Sequence, residues 1–245
     1  MALAEFRWFS NVLQKQVDTF VILPEVGKPP FATLYLLHGL TDDHTTWLRK
    51  TRLEVYAAEH PLMIVLPDGF RGYFTNNTSG PNYADYLCKE LPSVIERNFA
   101  AKSARESRGI GGLSMGGYGA MRAALSQPDL YASAHSHSGS VMNGSRSSPP
   151  DRFPEAVQIF GTNPLGTKHD VVHLAEQARN AKKLPALRLD CGLSDFFLEE
   201  NRQFHAALTE LRIPHEYEEF PGDHNWDYWD LHIRQALAFH AGHLG

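Results

Sequence analysis

The chain has 245 residues, 42% hydrophobic and 21% charged, the proportions of an ordinary globular protein, which exclude disorder and collagen-like repeats. Lys and Arg number 23 against 28 Asp and Glu, and the net charge of -5 is the reverse of what a general nucleic-acid binder carries. No apolar run approaches the ~20 residues that span a bilayer, and two cysteines, Cys88 and Cys191, are too few for a disulfide scaffold or a cysteine-only zinc site.

Residues 6–10 and 17–23 read as two strands with a turn between them, the second ended by Pro24. A Pro/Gly-rich surface loop follows over 25–30. Residues 33–37 (TLYLL) are a continuous apolar run ending at His38-Gly39, and a helical pattern covers 47–59. Residues 62–66 (LMIVL) repeat the apolar run and end at Pro67-Asp68-Gly69. A second helical pattern covers 83–99, with a kink or boundary expected at Pro92. The strand-like segment 108–113 leads into a small-residue helix over 115–125. Another strand, 186–190, ends at Cys191-Gly192, and helices are expected over 199–211 and 230–240. Short strands apolar on both faces, alternating with helices, indicate a three-layer α/β/α sandwich with a mostly parallel sheet. The two N-terminal strands form its antiparallel edge. One domain is expected over 1–245, with 140–185 an insertion over the active-site end of the sheet.

In open α/β sheets ligands bind beyond the carboxyl ends of the strands. There the sequence Gly112-Leu113-Ser114-Met115-Gly116 is a G-x-S-x-G between a strand and a helix, the setting of a nucleophile elbow. A serine hydroxyl needs a base, and the base an orienting acid, in the chain order Ser, acid, His. His224 follows the strand-like segment 215–220 and the turn Pro221-Gly222-Asp223, so a strand-end loop presents it. Asp195 follows the strand 186–190 directly. Asp190 lies inside that strand, and Asp223 adjoins the histidine too closely to orient its ring. The backbone N–H of Met115 and one from the loop after residue 37 are the oxyanion donors. Leu40 is the choice for the second, with Thr41 the alternative. His135 and His137 alternate on a strand but lack a third ligand, so they read as structural and no metal is expected.

The chain resembles the esterase D-like branch of the α/β-hydrolases, which includes S-formylglutathione hydrolases and small bacterial tributyrin and acetyl esterases. It looks most like the tributyrin-esterase group. The matching stretches are LYLLHGLTDD (34–43), WLRKTRL (47–53), IGGLSMGGYG (110–119), CGLSD (191–195) and GDHNWDYW (222–229). The resemblance implies an α/β-hydrolase fold, Ser114 as nucleophile, Asp195 as acid, His224 as base, and Leu40 and Met115 as oxyanion donors. It also implies a homo-oligomer. Tyr118 stands where formylglutathione hydrolases commonly have His, which points away from a thioester substrate.

The expected function is a serine carboxylesterase cleaving short-chain acyl esters through an acyl-enzyme, with no cofactor and with a small-molecule ester as its partner. Trp226, Tyr73 and Tyr118 are expected to line the substrate pocket, and Phe74 and Tyr228 are further aromatic candidates. A wall of polar residues from 69–83 and 138–148 would leave little room for a long chain, with Trp226 closing the end. The alternatives are S-formylglutathione hydrolysis, feruloyl or acetyl-xylan ester hydrolysis and, in another class, acyl transfer. The opening MALAEFRWFS lacks a basic stretch followed by an apolar one, so a cytoplasmic protein is expected, binding neither membrane nor nucleic acid.

Overall fold

The computed structural model describes residues 1–151 and 153–245. Eight strands form one sheet: β1 (Ala2–Ser10), β2 (Lys15–Leu23), β3 (Ala32–Leu37), β4 (Leu62–Pro67), β5 (Arg108–Leu113), β6 (Ser133–His137), β7 (Ala186–Gly192) and β8 (Glu216–Phe220). Their order is β1-β2-β4-β3-β5-β6-β7-β8. β1 and β2 pair antiparallel, and β2 joins β4 antiparallel. From β4 to β8 every pairing is parallel.

The continuous apolar runs are explained by helices on both faces of the sheet. Along β3, Leu34 and Leu36 enter one core while Tyr35 and Leu37 enter the other. β4 does the same, with Ile64 and Leu66 on one side and Met63 and Val65 on the other. One face is covered by α1 (Thr46–Lys50), α2 (Leu53–Ala57) and the C-terminal helix Trp226–His243. The other is covered by the helical stretch 83–98 and by Met115–Ser126, Val171–Asn180 and Leu198–Glu210. This is the α/β-hydrolase fold.

The expected helix 47–59 is two helices. Thr51 is extended (φ -134°, ψ 170°) and the N–H of Arg52 donates to Asp230 at 2.6 Å instead of to the preceding turn. In the stretch 83–98 the break falls just before Pro92. After α3 (Tyr83–Asp85) comes a π-turn, Tyr86–Glu90, and then α4 (Leu91–Asn98). The N–H of Leu91 reaches back five residues to the Tyr86 carbonyl, a wider turn ahead of a residue with no N–H to give. The next helices are α5 (Met115–Ser126), α6 (Ala156–Phe160), α7 (Val171–Asn180), α8 (Leu198–Glu210) and α9 (Trp226–His243). α9 begins four residues earlier than its apolar spacing suggests. Asn225 caps it, accepting the Tyr228 N–H at 3.1 Å.

The segment 140–185 packs against α5 through α7, which Asp170 caps by accepting the N–H groups of Val172 and His173. It sends Phe153 and Phe160 into the core beside Tyr73. Strand β6 (SAHSH) is polar yet fully buried. His135 Nδ1 lies 2.7 Å from His240 Nε2, and His240 Nδ1 lies 2.7 Å from Ser133 Oγ. His137 pairs with Asp190 on β7. These contacts satisfy part of the strand's polar surface, while Ser136 Oγ and the Nε2 atoms of His135 and His137 have no partner among the described residues.

Candidate active site

β5 passes into α5 through Ser114, held at φ 53°, ψ -116°. A non-glycine residue in such a region costs on the order of 1–3 kcal/mol and persists only where its surroundings fix it. Three backbone bonds do so. The Ser114 N–H donates to the His137 carbonyl at 2.9 Å, and its own carbonyl accepts from Tyr118 and Ser140 at 3.1 and 3.2 Å. The motif glycines answer a close approach. A Cβ on either Gly112 or Gly116 would stand 2.6 Å from the Leu37 carbonyl oxygen. Their absence lets the first turn of α5 press against the end of β3.

Ser114 Oγ lies 3.0 Å from His224 Nε2. His224 Nδ1 lies 2.9 and 3.1 Å from the two carboxylate oxygens of Asp195. The Asp195 side chain is fully buried and also accepts the Phe197 N–H at 2.7 Å. The loop after β7 is zipped to the loop after β8. Leu193 N–H donates to the Phe220 carbonyl and Ser194 N–H to the Gly222 carbonyl, both at 2.8 Å. That pairing sets Asp195 beside His224. Aromatic rings then confine the imidazole: Trp229 edge-on at 4.9 Å, Phe197 at 5.2 Å and Phe196 tilted at 4.3 Å between centroids. The two carboxylates passed over in the sequence are engaged elsewhere. Asp190 holds His137 and Tyr228, and Asp223 accepts the backbone N–H of His224.

The N–H groups of Leu40 and Met115 have no acceptor among the described residues, and neither has that of Thr41. The loop carrying Leu40 is braced at both ends. His38 accepts the Gly69 N–H at Nε2 and donates from Nδ1 to the Gly39 carbonyl at 2.7 Å. Asp42 accepts the Gly39 N–H at 3.2 Å, and burial pushes the Asp42 carboxyl above its ordinary range.

These groups surround a cavity of about 470 Å³, within the usual range for small-molecule sites. Its wall is largely aromatic: Tyr73, Phe153, Phe196, Phe197, Trp226 and Trp229. Trp226 and Tyr73 are therefore where the sequence expects them. Tyr118 is not. Its ring is buried behind Tyr73, and its hydroxyl donates to the His169 carbonyl at 2.9 Å. The Tyr-for-His difference at 118 thus changes the packing behind the wall and not the wall itself. Phe74 and Tyr228 are likewise buried outside the lining. The expected polar wall is also corrected. From 138–148 only Asn143 lines the cavity, buried, with Oδ1 lacking a partner among the described residues. From 69–83 only Tyr73 does so, its backbone at φ 53° and its ring stacked on Phe153 at 5.0 Å. Phe196 and Phe197 were discoverable in the sequence, since they directly follow Asp195 in its loop. Asn143 carries no such signal.

Residues 10–240 match the esterase family, whose description is "Putative esterase". An acetyl esterase of Caldicellulosiruptor saccharolyticus is 27% identical over 98% of both chains. Among solved structures, the fluorophosphonate-binding serine hydrolase FphF of Staphylococcus aureus, with substrate bound, is 32% identical over 98% of each chain, with a TM-score of 0.88. The S-formylglutathione hydrolase FrmB of Staphylococcus aureus is also 32% identical, covering 98% of this chain and 100% of its own, with a TM-score of 0.86.

Proposed function

The chain belongs to the esterase family, in its esterase D-like branch, and is a carboxylic ester hydrolase; from that premise we propose that it cleaves short-chain acyl esters through an acyl-enzyme formed on Ser114. The observation that carries this reading is the continuous line from Ser114 Oγ through the His224 ring to Asp195.

Ser114 Oγ attacks the ester carbonyl as His224 Nε2 takes its proton. Asp195, buried and acceptor-only, keeps the Nδ1 proton facing itself and stabilises the imidazolium that forms. The carbonyl oxygen becomes negative and is met by the unpaired N–H groups of Leu40 and Met115. The alcohol leaves with the proton from His224. Water then repeats the sequence on the acyl-enzyme and frees the acid. None of these steps calls on a cofactor. The indole of Trp226 lies in the cavity wall beside His224, and a closed acyl end there favours acetyl to butyryl groups. Free Cys88 and Cys191 fit a reducing compartment such as the cytoplasm. A second reading is hydrolysis of S-formylglutathione, favoured by the likeness to the staphylococcal enzyme of that name.

The test is a panel of p-nitrophenyl esters from acetyl upward, run beside S-formylglutathione and methyl ferulate. The highest kcat/KM is expected on the acetyl-to-butyryl esters. A preference for S-formylglutathione selects the second reading. A serine-directed phosphonate is expected to label Ser114 alone, and Ser114→Ala to remove hydrolysis while retaining the fold. Labelling at another residue, or an active alanine variant, overturns the assignment.

A further inference from the structure

The two edges of the sheet differ in what they offer to another strand. Both β1 and β8 have a neighbour on one side only, and an open edge is a template for pairing unless something blocks it. β8 blocks itself. Its sequence is EYEEF, and two copies paired antiparallel along the whole strand would set Glu218 against Glu218. β1 does the opposite.

Along β1, Leu3, Glu5, Arg7 and Phe9 are exposed on one face, while Ala4, Phe6 and Trp8 are half-buried on the other. Leu3 and Phe9 are 42% and 48% exposed, large values for apolar side chains on a strand. Two copies related by a two-fold axis normal to the sheet pair antiparallel and keep like faces together. One register pairs all nine residues, with Phe6 on the axis and Ala2 opposite the partner's Ser10. In that register Glu5 faces the partner's Arg7, Arg7 faces the partner's Glu5, and Leu3 faces the partner's Phe9. Slipping by one pleat in either direction sets Glu5 against the partner's Glu5, or Arg7 against the partner's Arg7. The register of greatest overlap is therefore also the one in which charge and apolar surface match.

Arg7 is already held in place for this. Its cross-strand neighbour on β2 is Asp18, whose carboxylate lies 2.6 Å from Arg7 Nε, while most of the Arg7 side chain stays open to solvent. The partner's Glu5 would complete a row running Asp18, Arg7, Glu5 across the junction. Opposite charges directly across a strand pair favour that pairing, and like charges oppose it.

We propose that β1 is the interface between two copies of this chain, joined edge to edge across a two-fold axis at Phe6 into one continuous sheet. Four strands, β1, β2, β4 and β3, separate the junction from β5 and Ser114, so pairing leaves the cavity open.

Light scattering after size exclusion, on the full chain at tens of micromolar, reads the mass directly. Twice the 27.5 kDa chain mass, or an even multiple of it, is expected. Glu5→Arg makes both facing charges positive, and Arg7→Glu makes both negative, so each variant alone should fall to half the wild-type mass. Mixing the two should restore it, because each then faces its opposite. Hydrolysis of p-nitrophenyl acetate by each variant verifies that it folds. If a variant does not fold, hydrogen exchange of the wild type decides, with amides of residues 2–10 slowing as concentration rises. A monomeric wild type, an oligomer indifferent to both substitutions, or exchange in β1 independent of concentration overturns the proposal.

Discussion

His137 and Asp190 form a second histidine–aspartate pair, fully buried, with His137 Nδ1 2.8 Å from both carboxylate oxygens. The two residues stand opposite each other on β6 and β7. The Tyr228 hydroxyl donates to the same carboxylate at 3.0 Å. His137 Nε2 has no hydrogen-bond partner among the described residues, serine included. Its link to Ser114 is the His137 carbonyl, which accepts the Ser114 N–H.

The two aspartates should therefore fail in different ways. Asp190→Asn is expected to destabilise the fold by roughly 1–3 kcal/mol, because buried partners lose a charged acceptor, while kcat of the folded fraction changes little. Asp195→Asn should leave the melting temperature nearly unchanged and lower kcat by as much as ~10⁴, the loss known when the orienting acid of a serine–histidine pair becomes an amide. Asp223→Asn should be mild in both respects, since that side chain accepts the backbone N–H of His224 and an amide oxygen can do the same. Urea melts and ester turnover on the three variants separate these outcomes.

Removing an oxyanion donor tests the loop after β3. Leu40→Pro deletes the N–H and should cost about 10²–10³ in kcat. Leu40→Ala keeps the N–H and should stay near wild type. Equal activity of the two variants would move the donor to Thr41, whose amide is also unpaired.

Buried imidazoles make stability depend on pH. Burial pushes His240 down to about 3 and His135 well below its ordinary value, with neighbouring imidazoles adding to both. In the unfolded chain such groups titrate near ~6.5. The unfolded state thus gains protons below that pH while the folded state does not. Their contribution is complete above ~6.5 and is lost as the pH falls toward about 3. Urea unfolding followed from about pH 7 down to about pH 4 should show a slope that steepens through ~6.5 toward a limit of roughly 1.4 kcal/mol per pH unit for each such histidine. His240→Gln should lower that slope by one proton.

The aromatic wall is expected to set the acyl-chain length. Trp226 sits edge-on between Trp47 and Trp229, with centroids 5.3 and 5.2 Å away, so it has little freedom to swing aside. Across p-nitrophenyl esters from acetyl to dodecanoyl, kcat/KM should fall beyond butyryl. Trp226→Ala should move the optimum to longer chains, each additional buried methylene gaining about 0.8 kcal/mol. An unchanged optimum would place the indole on the alcohol side of Ser114.

Much of the fold and of the site was legible because each rests on a local signal. The apolar runs TLYLL and LMIVL are strands buried on both faces, and that pattern requires helices above and below. Ser114, Asp195 and His224 each lie at a strand end or in the loop that follows it, so the motif and chain order point to them. What escaped depends on packing between distant segments. Asn143 and Phe153 reach the cavity because 140–185 folds back over α5, and nothing near them in the chain says so. Tyr118 misled because helical position alone does not tell a wall residue from one buried behind it. The break at Thr51 was hidden because its cause is Asp230, 178 residues away from Arg52.

The placement of His224 also orders the birth of the enzyme. Ser114 is 110 residues ahead of it, and β8, the strand that leads to it, is the last strand in the chain and lies at the sheet edge beside β7. In order of synthesis Ser114 and Asp195, the proposed nucleophile and acid, both precede His224, the proposed base. On the proposed assignment, a chain whose β8 and α9 are not yet in place carries the serine without its base, so ester hydrolysis requires both of these last elements to be docked.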